Sequence, residues 1–386
     1  MTKPTILRIT TVPISLDKLL EGQLRFMNEW FKVVAVASDP EYLKQIGVRE
    51  GVEVFALEMT RQITPIRDLI AVVKLFLFLR KNETLIVHSH TPKAGIVGML
   101  AALIAGVPHR LHTVAGLPLL EATGNKRRLL DLVEKITYAC ATGVYPNSKS
   151  LKEIILGLKF CKPEKLKVIG NGSSNGINTA YFDPALYTYD DRITLKTTLG
   201  IGVRDFVFIY VGRLVGDKGI NELISAFNQV LVLNDSVKLL LVGPLEPDLD
   251  PLESQTMEWI KTDPNIISVG YQKDVRPYFS IADALVFPSY REGFPNVVMQ
   301  AGAMGMPAIV TDINGCNEII EDGKNGLIIP VKDRDQLAKA MLRLLEDQQL
   351  NLKLQDNARE MITSRFEQMV VWQALLAEYK SINGWK

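Results

Sequence analysis

Short runs of β-branched and aromatic residues, each cut off by turn residues, alternate along this chain with longer segments of helical period. In the first half the runs fall at 5–10 (TILRIT), 32–37 (KVVAVA), 52–57 (VEVFAL), 84–88 (TLIVH), 109–114 (HRLHTV) and 143–147 (GVYPN). The second half repeats the pattern at 206–211 (FVFIYV), 237–242 (VKLLLV), 266–269 (IISV), 284–288 (ALVFP), 307–311 (PAIVT) and 326–330 (GLIIP). Strands separated by helices predict parallel sheets wrapped by helices, here two doubly wound α/β domains. Between the halves, residues 170–192 are rich in Gly, Ser, Asn and Asp and lose all periodicity, which places a hinge there. From Arg334 the pattern is helical to the end, and a last helix near 366–382 has no strand after it, so it is expected to cross back to the first domain. The expected boundaries are 1–175, 176–364 and 365–386 for the first domain, the second domain and the returning helix.

Length agrees with two cores, because 386 residues exceed the roughly 250–300 at which a single core stops growing. Charge adds little: 44 basic against 43 acidic residues, interspersed, give +1 and no global field for a polyanion, so any anion site must be local. Three cysteines without paired spacing, Cys140, Cys161 and Cys316, fit a reducing compartment. The N-terminus runs straight into a strand pattern without a leader's apolar core, and nothing reaches the ~18–20 apolar residues of a spanning helix. A cytoplasmic protein is expected, at most peripheral to the inner membrane face. Residues 67–81 (RDLIAVVKLFLFLRK) read either as such a membrane-facing helix or as one buried against a sheet.

Open α/β sheets bind ligands beyond the carboxyl ends of their strands, so chemistry is sought just after each strand and in the cleft between two lobes. Directly after 206–211 come Gly212, Arg213, Leu214, Val215, Gly216, Asp217, Lys218 and Gly219, two permanent cations in a glycine-punctuated loop that opens a helix. Such a loop suits a diphosphate: glycines admit the backbone, Arg forks two oxygens, Lys adds a point charge, and the helix N-terminus adds its partial positive end. After 284–288, Glu292 precedes Gly293, Phe294, Pro295, Asn296 and Val297, where a helix begins. Glu292 is expected at the strand's carboxyl end, with backbone N–H groups of the following residues directed into the cleft. All four histidines lie within 88–112. His88 and His90 are expected on opposite sides of their strand, which leaves no convergent metal set. Asp248, Leu249 and Asp250 mimic a metal-binding Asp-x-Asp but sit in a proline-rich loop of surface composition. No metal is assigned. Gly170, Gly172 and Gly176 fail the spacing of a dinucleotide fingerprint.

The paired motifs GRL-x-x-x-KG and EGFPNVV-x-Q resemble those of the retaining GT-B glycosyltransferases of family 4, and the similarity covers the whole chain. The resemblance implies an acceptor-binding first domain and a donor-binding second. It implies that Arg213 and Lys218, with Gly212, hold the donor diphosphate, and that Glu292 faces the transferred sugar's hydroxyls. Gly293, Phe294, Pro295, Asn296 and Val297 would meet the sugar and distal phosphate, and the loop carrying Tyr271 would hold the base. His112, expected at the end of its strand, would contact the donor sugar. On the acceptor side stand His90, Lys93, Glu121 and Asn147, the last equally readable as part of a helix cap. One departure is Gln300, where the family usually carries a second glutamate for the ribose; the amide keeps acceptor capacity but loses the charge. The first loop has only Gly22 where relatives often have adjacent glycines. The implied activity is metal-independent transfer, without cofactor, of a hexose or N-acetylhexosamine from a nucleoside diphosphate, expected to be UDP. The acceptor implied is a polyprenyl-diphosphate-linked saccharide or other glycan, in bacterial surface-polysaccharide assembly such as capsule or O-antigen. A sugar-nucleotide epimerase and an inactive sugar-nucleotide-binding subunit remain as alternatives.

Overall fold

The computed structural model describes residues 3–384, apart from Leu249 and the side chain of Glu121. All twelve apolar runs form strands: β1 (Thr5–Ile9), β2 (Lys32–Ala37), β3 (Glu53–Ala56), β4 (Thr84–Ser89), β5 (His109–Val114), β6 (Gly143–Pro146), β7 (Phe206–Val211), β8 (Val237–Val242), β9 (Ile266–Ser268), β10 (Ala284–Phe287), β11 (Ala308–Thr311) and β12 (Gly326–Ile329). They build two six-stranded parallel sheets, ordered β3-β2-β1-β4-β5-β6 and β12-β11-β10-β7-β8-β9. Read from its own first strand, each sheet has the same order, and each reverses direction at one switch point: β1 beside β4, and β7 beside β10.

The chain divides into two compact units, Met1–Asn175 with Met369–Lys386, and Gly176–Gln368. The helix Gln368–Ile382 therefore belongs, from Met369 onward, to the first unit, where Val371, Leu375, Leu376 and Tyr379 are buried. Leu375, Leu376 and Tyr379 pack with Ile6, Leu24, Phe31, Val33 and Ile86 on one face of the first sheet, while Leu7, Ile9, Val34, Val36 and Val87 face the opposite core. Trp372 of the same helix lies against Phe26, with ring centroids 5.5 Å apart, and donates from Nε1 to Asn175 Oδ1 at 2.7 Å.

In the second unit Val207, Phe208, Ile209 and Tyr210 of β7 are wholly buried, as are Leu239, Leu240 and Leu241 of β8. Each such side chain stabilises the unit by about 1.5–3 kcal/mol relative to exposure, which is why these strands read as unbroken apolar runs rather than alternating ones. The central strands carry the second-unit motifs. β7 and β10 are hydrogen-bonded neighbours, with Phe208 opposite Ala284 and Ile209 opposite Leu285.

Candidate functional site: the switch point of the second sheet

Because β7 and β10 are adjacent, the loops leaving their carboxyl ends meet although ~70 residues separate them in sequence. Gly219, which opens the helix Ile220–Leu233, has φ +72°, and a Cβ there would stand 2.2 Å from the Pro288 carbonyl oxygen. Only glycine permits both that backbone and that approach. The Tyr290 N–H donates to the Asp217 carbonyl at 3.0 Å, and Arg291 pairs with Asp217 at 2.8 Å, stitching the two loops together.

Lys218 and Glu292 form the centre. Lys218 Nζ lies 2.5 Å from Glu292 Oε1, and the two side chains are 16% and 18% exposed, so the pair is partly desolvated and less screened than a surface pair. The wholly buried Ser289 donates to the same carboxylate oxygen at 3.1 Å. Arg213 is more exposed and pairs with Glu246 Oε2 at 3.1 Å. Its carbonyl accepts from the buried Tyr210 hydroxyl at 2.9 Å, which fixes the start of the loop. Tyr210 is pushed well above the usual phenol range by burial, and further by Glu292 and Asp217. Cys316 is buried, and its thiol is likewise pushed up, first by burial and then by Glu292.

Past Glu292, the chain turns through Gly293, Phe294 and Pro295 into the helix Asn296–Ala303, whose first turn leaves backbone N–H groups without intrahelical partners. Gln300 follows one turn later on that helix and is partly buried. Phe294 rests edge-on against Phe366, with centroids 5.4 Å apart, which pins the turn from behind. Tyr271 lies 73% exposed on the loop after β9. That loop is tied to the end of β8, because Gly243 N–H donates to the Gly270 carbonyl at 2.9 Å.

Two contributors were not singled out in the sequence, and a third, Asp250, was read only as part of a surface loop. Asn314 Nδ2 donates to the carbonyls of Glu292, at 3.1 Å, and Gly293, at 2.7 Å. Gly315 beside it, at φ +78°, would place a Cβ 2.5 Å from the Gly293 carbonyl oxygen. An Asn-Gly pair separated by two residues from the end of β11 was the available signal. Asp250 accepts from the Asp217 N–H at 2.6 Å, so it braces the loop that carries Lys218 rather than merely decorating a surface; Leu249 lies outside the described residues.

The first-unit candidates are arranged differently. His112 does not end its strand: β5 continues to Val114, and the ring is 2% exposed, bonded through Nδ1 to Ser89 Oγ at 2.8 Å and 6.0 Å from Tyr138. A Cβ on Gly95 would meet it at 2.7 Å, so His112 is a packed interior group. Burial lowers its pKa to about 4, against an opposing hydrogen bond with Ser89.

His88 and His90 share one side, contrary to the expectation of opposite faces. Residues two apart on a strand point the same way, and their rings lie 4.2 Å apart. His90 is 4% exposed and accepts from Arg8 Nε at 3.0 Å. Lys93 is paired with Asp68, both largely buried. Asn147 is 6% exposed and donates to the Ala115 carbonyl at 3.4 Å; the cap of the next helix is Ser148, which accepts from Leu151 N–H at 3.1 Å. Glu121 closes the 3-10 turn Pro118–Glu121, and its side chain lies outside the described residues. Gly22, at φ +76°, abuts Trp372. No group of three or more His, Cys, Asp or Glu that could hold a metal occurs among the described residues.

The helix Pro65–Lys81 resolves the two readings of its segment by having both faces. Ala71, Val72, Leu75 and Leu79 are buried, while Ile66, Leu69, Ile70, Val73 and Leu77 are exposed, by 48–78%. No helix of the described residues is long and apolar enough to cross a membrane.

Two like-ordered parallel sheets, one of them carrying a cationic glycine loop beside a carboxylate turn at its switch point, define a GT-B fold of the nucleotide-sugar-using kind. Over 98% of this chain the structure matches Anabaena HepE, crystallised in complex with UDP, with a TM-score of 0.80 at 19% identity, covering 100% of that chain. Residues 191–361 match the family model of glycosyl transferases group 1, and residues 27–172 a glycosyl transferase 4-like domain. The capsular polysaccharide biosynthesis glycosyltransferase CapM of Staphylococcus aureus is 33% identical over 99% of this chain and 98% of its own length. The UDP-Gal:alpha-D-GlcNAc-diphosphoundecaprenol alpha-1,3-galactosyltransferase of Escherichia coli is 30% identical over 94% of this chain and 95% of its own. The chain belongs to the group 1, family 4 glycosyltransferases and is an enzyme of that kind.

Proposed function

We propose that this protein transfers a hexose or N-acetylhexosamine from UDP, with retention of configuration, to a saccharide carried on polyprenyl diphosphate during assembly of a bacterial surface polysaccharide. The observation that carries the reading is the partly buried Lys218–Glu292 pair where the loops after β7 and β10 meet. Departure of a nucleoside diphosphate builds negative charge on the leaving phosphate and positive charge on the anomeric carbon. Lys218, Arg213 and the N–H groups opening the helix Ile220–Leu233 are the groups suited to the first, without a metal. Glu292 is suited to the sugar hydroxyls, with the backbone of Gly293 to Val297 around the sugar and distal phosphate. Gln300 would accept from the ribose, and Tyr271 would flank the base. His90, Lys93, Glu121 and Asn147 are assigned to the acceptor side; His112, buried against Ser89, is given no contact with the donor sugar. The UDP bound in the Anabaena structure and the diphosphoundecaprenol acceptor named for the Escherichia coli relative support the choice of donor and acceptor. The exposed apolar stripe of Pro65–Lys81, flanked by Arg67, Lys74, Arg80 and Lys81, suits peripheral contact with the cytoplasmic membrane face, where such an acceptor resides.

Calorimetric titration with UDP, GDP and ADP tests the donor assignment. UDP should bind selectively, and Lys218→Ala should weaken it and reduce acceptor-dependent turnover by roughly 10²–10³. Binding by none of the three nucleotides would remove the reading. UDP binding without any acceptor-dependent release of UDP from UDP-sugars would favour an epimerase or a binding subunit instead.

A further inference from the structure

Arg8 is the largest fully buried side chain of the first unit, and among the described residues no carboxylate pairs with it. Its Nε donates to His90 Nε2 at 3.0 Å and its Nη2 to Gln23 Oε1, both neutral partners, while Nη1 has none. Burying a guanidinium without a counter-charge is costly. The cost is not confined to one atom, because His90 Nδ1, Ser174 Oγ and Asn147 Oδ1 are also buried without partners. His90, Asn147 and Ser174 line one recess beyond the carboxyl ends of β4 to β6, with Thr113 and Tyr145, and it has a volume of about 20 Å³.

The chemistry of that recess follows from its hydrogen bonds. His90 Nε2 accepts from Arg8, so the proton of the neutral ring sits on Nδ1, the atom left without a partner. Burial holds His90 well below its ordinary pKa, and neighbouring His88 and Arg8 act the same way, so the ring is neutral and the positive charge stays behind it on Arg8. Gln23 extends the chain, donating to the Ser174 carbonyl at 3.0 Å and Asn175 Oδ1 at 3.1 Å, which anchors the wall that carries Ser174. The helix Pro92–Ala105 starts two residues after His90 with no acid in its first turn, and the hydroxyl of Thr91 at its cap position is engaged with Thr11 instead. Donors therefore outnumber acceptors among the unpartnered groups, beside an uncompensated cation. A water molecule would satisfy hydrogen bonds but leave the charge.

We propose that this recess is an anion subsite that takes one terminal oxygen of a phosphoryl group, with His90 and Ser174 as direct donors and Arg8 as the positioning residue that sets the His90 tautomer and supplies the charge. The volume admits about one oxygen atom, so the rest of the phosphoryl group stands at the mouth. Two sources share this chemistry: the diphosphate of a lipid-linked acceptor, an assignment that rests on the transferase reading, and a free inorganic anion.

The test is calorimetric titration of inorganic pyrophosphate into the full-length protein with UDP held at saturation, so that the nucleotide occupies its own site. Pyrophosphate should bind, with affinity at least tenfold weaker in Asn147→Asp, which places a carboxylate in the recess, and weaker also in Arg8→Gln and Ser174→Ala. Displacement of pyrophosphate by geranyl diphosphate would identify the lipid-linked source; binding of pyrophosphate without such displacement would identify a free anion. Absence of binding, or equal binding by the wild type and by the variants that fold, overturns the subsite. Should Arg8→Gln not fold, the other two variants carry the result. The UDP titration of each protein is read separately, so failure of the donor assignment and failure of this subsite give different outcomes.

Discussion

Glu134 is 5% exposed on the helix Gly124–Cys140, four residues before Tyr138, and burial pushes its pKa up to about 7, with the Tyr138 hydroxyl opposing the rise. In the unfolded chain the same group titrates near 4.5. Between those values the folded state binds the proton and the unfolded state does not, so stability falls as pH rises through the window. Glu134→Gln should therefore be more stable than the wild type at pH 8, by up to about 3 kcal/mol, with the advantage gone near pH 4.5. Urea melts of both proteins across that range check it, and a pH-independent difference would refute the assignment. Single residues were unevenly legible in the chain. Lys218 and Glu292 were legible as candidates only in combination, because a Lys in a loop or an acid in a turn is by itself commonly surface charge. Arg8 was not legible, although a cation at an inward position of β1 is an anomaly in an apolar run; its partners, His90 and Gln23, are remote in sequence. The run 109–114 was read with its correct bounds, but His112, expected to serve as its end, lies two residues before Val114 and is packed into the core against Ser89, a contact that depends on β4 lying beside β5.

At the scale of elements, the helix Pro65–Lys81 shows what composition leaves open. Its apolar residues exceed what one face can bury, and only the packing shows that Ala71, Val72, Leu75 and Leu79 take the core while Ile66, Leu69 and Val73 stay in contact with solvent. Such a surplus on an isolated helix face, rimmed by basic residues, suits the headgroup region of an anionic bilayer. Ile66→Glu combined with Leu69→Glu should reduce co-sedimentation with phosphatidylglycerol vesicles several-fold while leaving the affinity for UDP unchanged. Equal co-sedimentation of the double variant would sink the membrane role. The strands needed no such arbitration. Runs such as Val207–Tyr210 and Leu239–Leu241 are apolar at consecutive positions because both faces of a central parallel strand are covered, and that pattern is visible without coordinates.

For the whole molecule, the first unit is not contiguous in sequence: it ends at Asn175 and is completed by residues from Met369 onward. The returning helix supplies Leu376 to the core beside β1 and β2, and Tyr379, whose hydroxyl lies 2.5 Å from His88 Nδ1. Leu376→Ala should cost about 2–5 kcal/mol. Hydrogen exchange should then show lost protection in β1 and β2, with protection in β7 and β10 retained. Periodicity and loop chemistry are local properties, so the alternation of strands and helices, hence two doubly wound domains, and a cationic glycine loop with a carboxylate turn were readable from the chain alone, while the glycosyltransferase reading came from the resemblance of those two motifs to a known family. Packing across the chain set β7 beside β10 and so brought Lys218 to Glu292, braced those loops with Asn314 and Asp250, and buried Arg8 behind His90 without a counter-charge. Those are facts of strand order and side-chain packing, fixed by burial summed over the whole chain and carried by no single segment of it.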